Sequence, residues 1–191
     1  MPAPAKTSDE RILAAARALV ARQGLEGLSM QALAAKVGVR APSLYKRFAD
    51  RDAIVLHLIE GAMRDLGAAL PTVDPPSNPR QARDQLERMA FAYRSFAKRQ
   101  PHLYRLLFLR GPESERVAAT RQSTLRPVLG QLAALVAPDK LLPAARLLVS
   151  FLHGFTTMEL DGAFHLDGSL DEAFAFGLGT LLDDLGAQTR R

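Results

Sequence analysis

Ser29-Met-Gln-Ala-Leu-Ala-Ala-Lys-Val-Gly38-Val-Arg-Ala-Pro-Ser-Leu-Tyr-Lys-Arg-Phe48 is the stretch whose reading decides the fold of this chain. It reads as two short helices broken at Gly38. Ser29 is placed to cap the first of them. Glycine tolerates the left-handed backbone that closes a helix, and Val39 gives the turn an apolar anchor. Ala32, Leu33 and Val37 fall on one face, with Ala34 and Ala35 small enough for close approach. Two such helices joined by a three- or four-residue turn make a helix-turn-helix, which presents its second helix to the DNA major groove. Between Ser29 and Ala49 stand Lys36, Arg40, Lys46 and Arg47, and no acidic residue. That charge pattern suits a polyanion.

Residues 8–56 resemble the DNA-binding domain of TetR-type transcriptional regulators. The elements of the likeness are an apolar first helix at Ile12–Val20, a turn at Gly24, Leu28-Ser29, Val37-Gly38-Val39, Leu44-Tyr45-Lys46-Arg47-Phe48, and Arg51 opening a fourth helix. Two departures stand out. Arg40 occupies a place where the family often has Ser or Thr, and it is a poor N-cap. Arg47 occupies a place where His is common, and it keeps a phosphate donor.

At 191 residues, 48% apolar and 24% charged, the chain can build a real core and is not a disordered polymer. It has no cysteine, which excludes disulfides and Cys-based zinc sites and fits a reducing cytoplasm. No run approaches the roughly 18 consecutive apolar residues of a membrane span, so no membrane partner is expected. The net charge is +5, unevenly spread. Residues 1–70 hold 10 basic and 7 acidic side chains, residues 80–126 hold 11 and 4, and residues 145–187 hold 1 and 7. Bulk charge would therefore misplace the DNA site, and the absence of acids across 29–49 locates it better.

The whole chain has helical periodicity, with no alternating strand pattern and no internal repeat. The expected fold is all-α, with about nine helices. Residues 1–7 form an arm, 8–50 the helix-turn-helix domain, 51–70 a connecting helix, 71–79 a Pro-rich loop and 80–187 a C-terminal domain. Thr7-Ser-Asp-Glu10 has the spacing of a capping box for the first helix. Four prolines between Pro71 and Pro79 cannot continue a helix. Beyond them, Leu86, Met89, Ala90, Tyr93, Phe96 and Ala97 form an apolar stripe. Further helices are expected over 102–109, 113–136 with a kink or break at Pro127, 143–164 and 171–185.

Base readout falls to exposed residues near the second helix of the pair. Arg40 and Lys46 can donate to guanine O6 and N7, Gln31 can bridge adenine N6 and N7, and Ala41 and Pro42 can meet a thymine methyl. For any one of these a solvated basic face is an equal alternative; the set is the stronger argument. Phosphate contacts, which set register without reading sequence, are assigned to Ser29, Ser43, Tyr45, Arg47 and Arg51. For Tyr45, a hydroxyl on phosphate is what the resemblance implies. A cation at Arg51 opposes the helix dipole, which suggests a nearby anion. Phe48 is expected in the core. No metal spacing, Gly-rich phosphate loop or nucleophile motif occurs, so no cofactor and no enzyme activity are expected.

His153-Gly-Phe-Thr-Thr-Met-Glu-Leu-Asp-Gly-Ala-Phe164 resembles the penultimate helix of a TetR subgroup with a His-Gly motif. The resemblance implies a homodimer, in which this helix and the last one pair with their copies. Leu178, Leu181, Leu182 and Leu185 are the candidate interface. It also implies a small, mainly apolar effector, for which Met89, Tyr93, Phe96, Tyr104, Phe108, Phe151, His153, Phe155 and Met158 are candidates. Plain core filling is the alternative for each of these. The function implied is that of a cytoplasmic bacterial regulator, a ligand-responsive repressor on a near-palindromic operator. A regulator governed by a protein partner, and a non-DNA helical module or small enzyme, are the competing readings.

Overall fold

Ser8 caps the first helix by accepting the Arg11 amide on its hydroxyl at 3.3 Å, and α1 runs from Asp9 to Gln23. The expected capping box is thus shifted. Ser8 is the N-cap, Arg11 stands three residues on, and no Glu reaches back. The computed structural model describes residues 8–109 and 114–187. Thr7 and the expected arm over 1–7 lie outside them.

A 3-10 turn at Leu25–Gly27 leads to α2 (Met30–Val37), α3 (Ala41–Tyr45) and α4 (Arg51–Ala69). Then follow α5 (Pro79–Arg99), α6 (Pro101–Leu106), α7 (Glu115–Leu132), a 3-10 turn at Pro138–Lys140, α8 (Leu141–Leu160) and α9 (Leu170–Ala187). The described residues contain nine α-helices and no strand, as the periodicity predicts. α7 passes through Pro127 without a break.

The chain divides into two compact units, Met1–Asp65 with Gln100–Arg121, and Leu66–Arg99 with Gln122–Arg191. This differs from the expected boundaries at residues 50, 70 and 79. The division falls inside α4, and α6 with the start of α7 joins the helix-turn-helix unit. The reason lies in its core. Leu103, Leu106 and Val117 bury their side chains with Ile12, Ala16, Val20, Leu33, Leu44, Phe48, Ile54 and Leu58. Each fully buried Leu or Ile there is worth roughly 1.5–3 kcal/mol relative to an exposed one, so helices α1 to α4 gain from α6 and the start of α7. Polar ties complete the unit. Arg17 of α1 pairs with Asp65 and donates to Gln100 Oε1 at 3.0 Å, while Arg116 pairs with Glu60 at 3.1 Å.

The second unit is built on the α5 stripe, where Leu86, Met89, Ala90, Tyr93, Phe96 and Ala97 are all buried as expected. α8 and α9 approach closely at Gly177, where a β-carbon would stand 2.7 Å from Phe151 Cε2. Phe151, in turn, stacks on Phe174 with ring centroids 5.6 Å apart. Phe155 meets Phe174 edge-on at 5.2 Å and Phe164 at 4.9 Å. Arg94 lies buried against these rings, its guanidinium carbon 4.8 Å from the Phe174 centroid and 5.6 Å from that of Phe155.

Candidate nucleic-acid interface

α2 and α3 are set by local chemistry. Ser29 Oγ accepts the Ala32 amide at 3.0 Å, giving one of the orphan first-turn donors its partner. At the other end Gly38 takes φ 80° and ψ 34°. Its amide donates to Ala35 O at 3.2 Å and that of Val39 donates to Ala34 O at 3.0 Å. That pair of bonds is a Schellman closure, and Val39 packs against the core as its apolar anchor. The chain turns over Gly38–Arg40 and α3 begins at once. Arg40 is its N-cap and makes no side-chain cap bond. Pro42 in the first turn removes an amide that would otherwise need a partner.

α3 is short. It ends at Tyr45, with Lys46 as its C-cap; the amides of Arg47 and Phe48 both donate to Leu44 O at 2.9 Å. Leu44 and Phe48 are buried and fix one side of this segment to the core. The other side is left to solvent. Ser29, Gln31, Arg40, Pro42, Ser43, Lys46 and Arg47 are exposed, Ala41 is half-buried, and Tyr45 is 53% exposed. The five residues expected at bases and four of the five expected at phosphates therefore belong to one small helix pair and its flanks. An aromatic ring so open, among Arg40, Lys46 and Arg47, is what a phosphate-facing surface requires and a packing surface does not.

Two residues carry bonds that sequence reasoning missed. Arg47 pairs with Asp9 at the start of α1, so its charge is partly balanced in the free protein. Arg51 turns inward. Its Nε donates to Leu28 O at 2.7 Å and a terminal nitrogen donates to Leu25 O at 2.8 Å. The dipole argument for an anion beside Arg51 therefore fails, because two backbone carbonyls already receive the guanidinium. Asp50, not noticed in the sequence, caps α4 by accepting the Ala53 amide at 2.8 Å.

Two models of known families match. Residues 12–58 match that of bacterial regulatory proteins of the tetR family. Residues 86–181, half of the chain, match the tetracyclin repressor-like C-terminal domain. The chain belongs to the TetR family. An uncharacterized HTH-type transcriptional regulator of Mycobacterium tuberculosis, Rv0681, is 32% identical over 167 residues, 83% of this chain and 73% of that protein. Among solved structures, a Rhodococcus sp. RHA1 protein of unknown function superposes with a TM-score of 0.77 at 24% identity, covering 96% of this chain and 98% of that one. ActR of Streptomyces coelicolor, in complex with actinorhodin, superposes with a TM-score of 0.72 at 17% identity, over 96% and 98% of the two chains. The helix-turn-helix is thus the DNA-binding element of a TetR-family transcriptional regulator.

The residues expected elsewhere are placed less simply. Of the interface leucines, Leu178, Leu182 and Leu185 are buried within the subunit and Leu181 is half-buried. α9 thus turns that stripe inward, toward its own unit, and the first three cannot form the outer surface. The outward large apolar side chains of α8 and α9 are Leu142, Leu147, Met158 and Phe176, the last 77% exposed. α8 with its leading turn is long and apolar enough to cross a membrane by length and composition alone. It nevertheless carries Glu159, ion-paired to Arg94, and the excess apolar surface is also what a subunit contact needs.

The nine effector candidates are not gathered into one described cleft. Met89, Tyr93, Phe96 and Tyr104 are buried, Phe108 and Met158 are exposed, and Phe151 and Phe155 pack on Phe174. Tyr104 and Phe108 fall in the first unit, and the other seven in the second. His153 Nδ1 lies 3.4 Å from the Thr157 hydroxyl, and burial pushes its pKa down. Two open clefts of about 400 and 390 Å³ occur in the second unit, along Ala163–Leu170 with Ala173, and among Pro79, Arg83, Leu135 and Leu182. Neither is lined by any of the nine.

Proposed function

We propose that this TetR-family regulator acts in the cytoplasm as a ligand-responsive repressor, binding a near-palindromic operator as a homodimer. The observation that carries the DNA part is the exposed surface of Gln31, Arg40, Pro42, Ser43, Tyr45, Lys46 and Arg47 around the buried anchors Leu44 and Phe48, on a segment that itself holds no acidic residue. Ser29, Ser43, Tyr45 and Arg47 hold phosphates in this reading. Gln31, Arg40, Ala41, Pro42 and Lys46 face the bases.

Dimerisation falls to the outward faces of α8 and α9, through Leu147, Met158 and Phe176. A four-helix contact of that kind would cover apolar surface that one subunit leaves in water. It would also hold two readers one helical turn apart, as two half-sites demand. The effector is a small, mainly apolar molecule taken by the C-terminal domain; the complex of ActR with actinorhodin supports this by analogy of fold. An effector that binds the non-operator spacing more tightly weakens operator affinity by the same factor.

The test is binding to duplex DNA selected from a random pool, measured against salt. A steep fall in affinity with salt and a selected inverted repeat are expected. A weak, salt-independent association would end this reading, and a selected site without two-fold symmetry would end its dimeric part. If no small molecule shifts the operator complex while a protein from the same cell does, control belongs to a partner protein.

A further inference from the structure

Arg51 is the first residue of α4, where the helix dipole disfavours a cation. It stays there because its guanidinium is consumed from within. Nε and one terminal nitrogen donate to Leu28 O and Leu25 O at 2.7 and 2.8 Å. The remaining nitrogen lies 3.7 Å from Asp52, at the edge of ion-pair range. Both carbonyls flank the 3-10 turn at Leu25–Gly27, and Leu28 immediately precedes Ser29, the N-cap of α2. Leu28 itself is buried in the core shared with Ile54 and Leu58 of α4. The start of α4 and the start of α2 are therefore joined twice, by apolar contact and by a forked hydrogen bond that only arginine's planar geometry supplies.

We propose that Arg51 is a positioning residue for DNA binding: it clamps α4 to the turn that launches α2, and so sets the placement of the helix-turn-helix from inside. It does so without contacting phosphate. α4 is also the helix that carries residues of both compact units, Arg51 to Asp65 in the first and Leu66 to Ala69 in the second. This inference rests on the DNA-binding function of the family and is independent of any effector.

The test uses Arg51→Lys, which keeps the charge and loses the fork, and Arg51→Gln, which loses the charge. The first measurement is made without DNA. Amide exchange across 25–33 should accelerate by about tenfold in the Lys variant, because the turn is released to local opening. The second is binding to a duplex selected by the wild-type protein and to an unselected duplex, each against salt. A clamp predicts that both variants lose about tenfold on the selected duplex, with the salt slope unchanged. A phosphate contact predicts a Lys variant like wild type and a Gln variant whose slope falls by about 0.9. Wild-type exchange in the Lys variant, or a reduced slope in the Gln variant, overturns the proposal. Should the Gln variant fail to fold, exchange in the Lys variant alone decides.

Discussion

Replacing Arg94 by Met tests how the second unit is held together. Arg94 is 4% exposed and makes three charge-assisted bonds from the C-terminal third of α5. Nε and one terminal nitrogen clasp the two oxygens of Glu159 at 2.7 and 2.8 Å, and the other terminal nitrogen reaches Asp171 at 2.7 Å. The end of α8 and the first turn of α9 are thereby tied to α5. Removing one partner of a buried pair typically costs about 3–5 kcal/mol, mostly because the other charge is stranded. Here Glu159 is the stranded group, its side chain 9% exposed. Two features reduce the cost. Lys98 still reaches Glu159 at 2.8 Å, and Asp171 is 79% exposed and can turn to water. The rings of Phe155 and Phe174 lose a desolvated cation worth about 2 kcal/mol, partly restored by packing of the methionine.

We expect a loss of about 2–4 kcal/mol, read at fixed protein concentration as a fall in Tm of roughly 5–10 °C. Arg94→Met with Glu159→Leu should recover most of it, because an apolar pair strands no charge. The gap between wild type and the single variant also depends on pH. The Arg94 hydrogen bond, with help from Lys98, holds the Glu159 carboxyl below the usual carboxylate range. A depressed carboxylate contributes stability above its unfolded pKa, about 4.3, and loses it as pH falls through the folded value. The gap should therefore narrow on acidification below about pH 4.3. A single variant within 0.5 kcal/mol of wild type, or a double variant no better than the single, would refute this account of the network.

Tyr45→Phe and Arg47→Ala should weaken binding to every duplex, whereas Arg40→Ala or Lys46→Ala should relax preference at particular base pairs by about 1–3 kcal/mol each; competition binding across single-base variants of a selected duplex separates the two patterns. Phe176→Glu should give monomers by sedimentation, with wild-type helicity and lost operator binding, because it charges the outward face of α9. Leu178→Glu, by contrast, should unfold the second unit, since that side chain is fully buried and would carry an unpaired charge inside. Gly177→Ala should destabilise by about 1–3 kcal/mol in thermal unfolding, because the new β-carbon would meet the Phe151 ring at 2.7 Å; a second substitution, Phe151→Leu, should relieve much of that loss.

The features legible in the sequence were those encoded by neighbours. A serine three residues ahead of an amide, and a glycine followed by valine, announce the ends of α2 without knowledge of anything distant. The four prolines of 71–79 do the same for the gap between α4 and α5. The partners of Arg51 lie 23 and 26 residues earlier in the chain, where no local rule looks. The place of α6 in the first unit is hidden from the sequence for the same reason. Leu103 and Leu106 are apolar residues in a short helix, and only the finished core shows which side they serve.

The interface leucines fail for a different reason, and it bears on function. α9 is apolar on more than one face: Phe174, Leu178, Leu182 and Leu185 recur at helical spacing, while Phe176 stands on the opposite side. Periodicity cannot rank them. What ranks them is which face the chain uses for itself. Phe174 faces Phe91, Phe151 and Phe155 and fixes the rotation of α9, and Leu178, Leu182 and Leu185 follow it inward. Phe176 and its neighbours are then turned outward by the same rotation. The surface proposed for the second copy is thus defined by the packing that excludes it, and the aromatic cluster around Phe174 fixes which face of α9 is left for it.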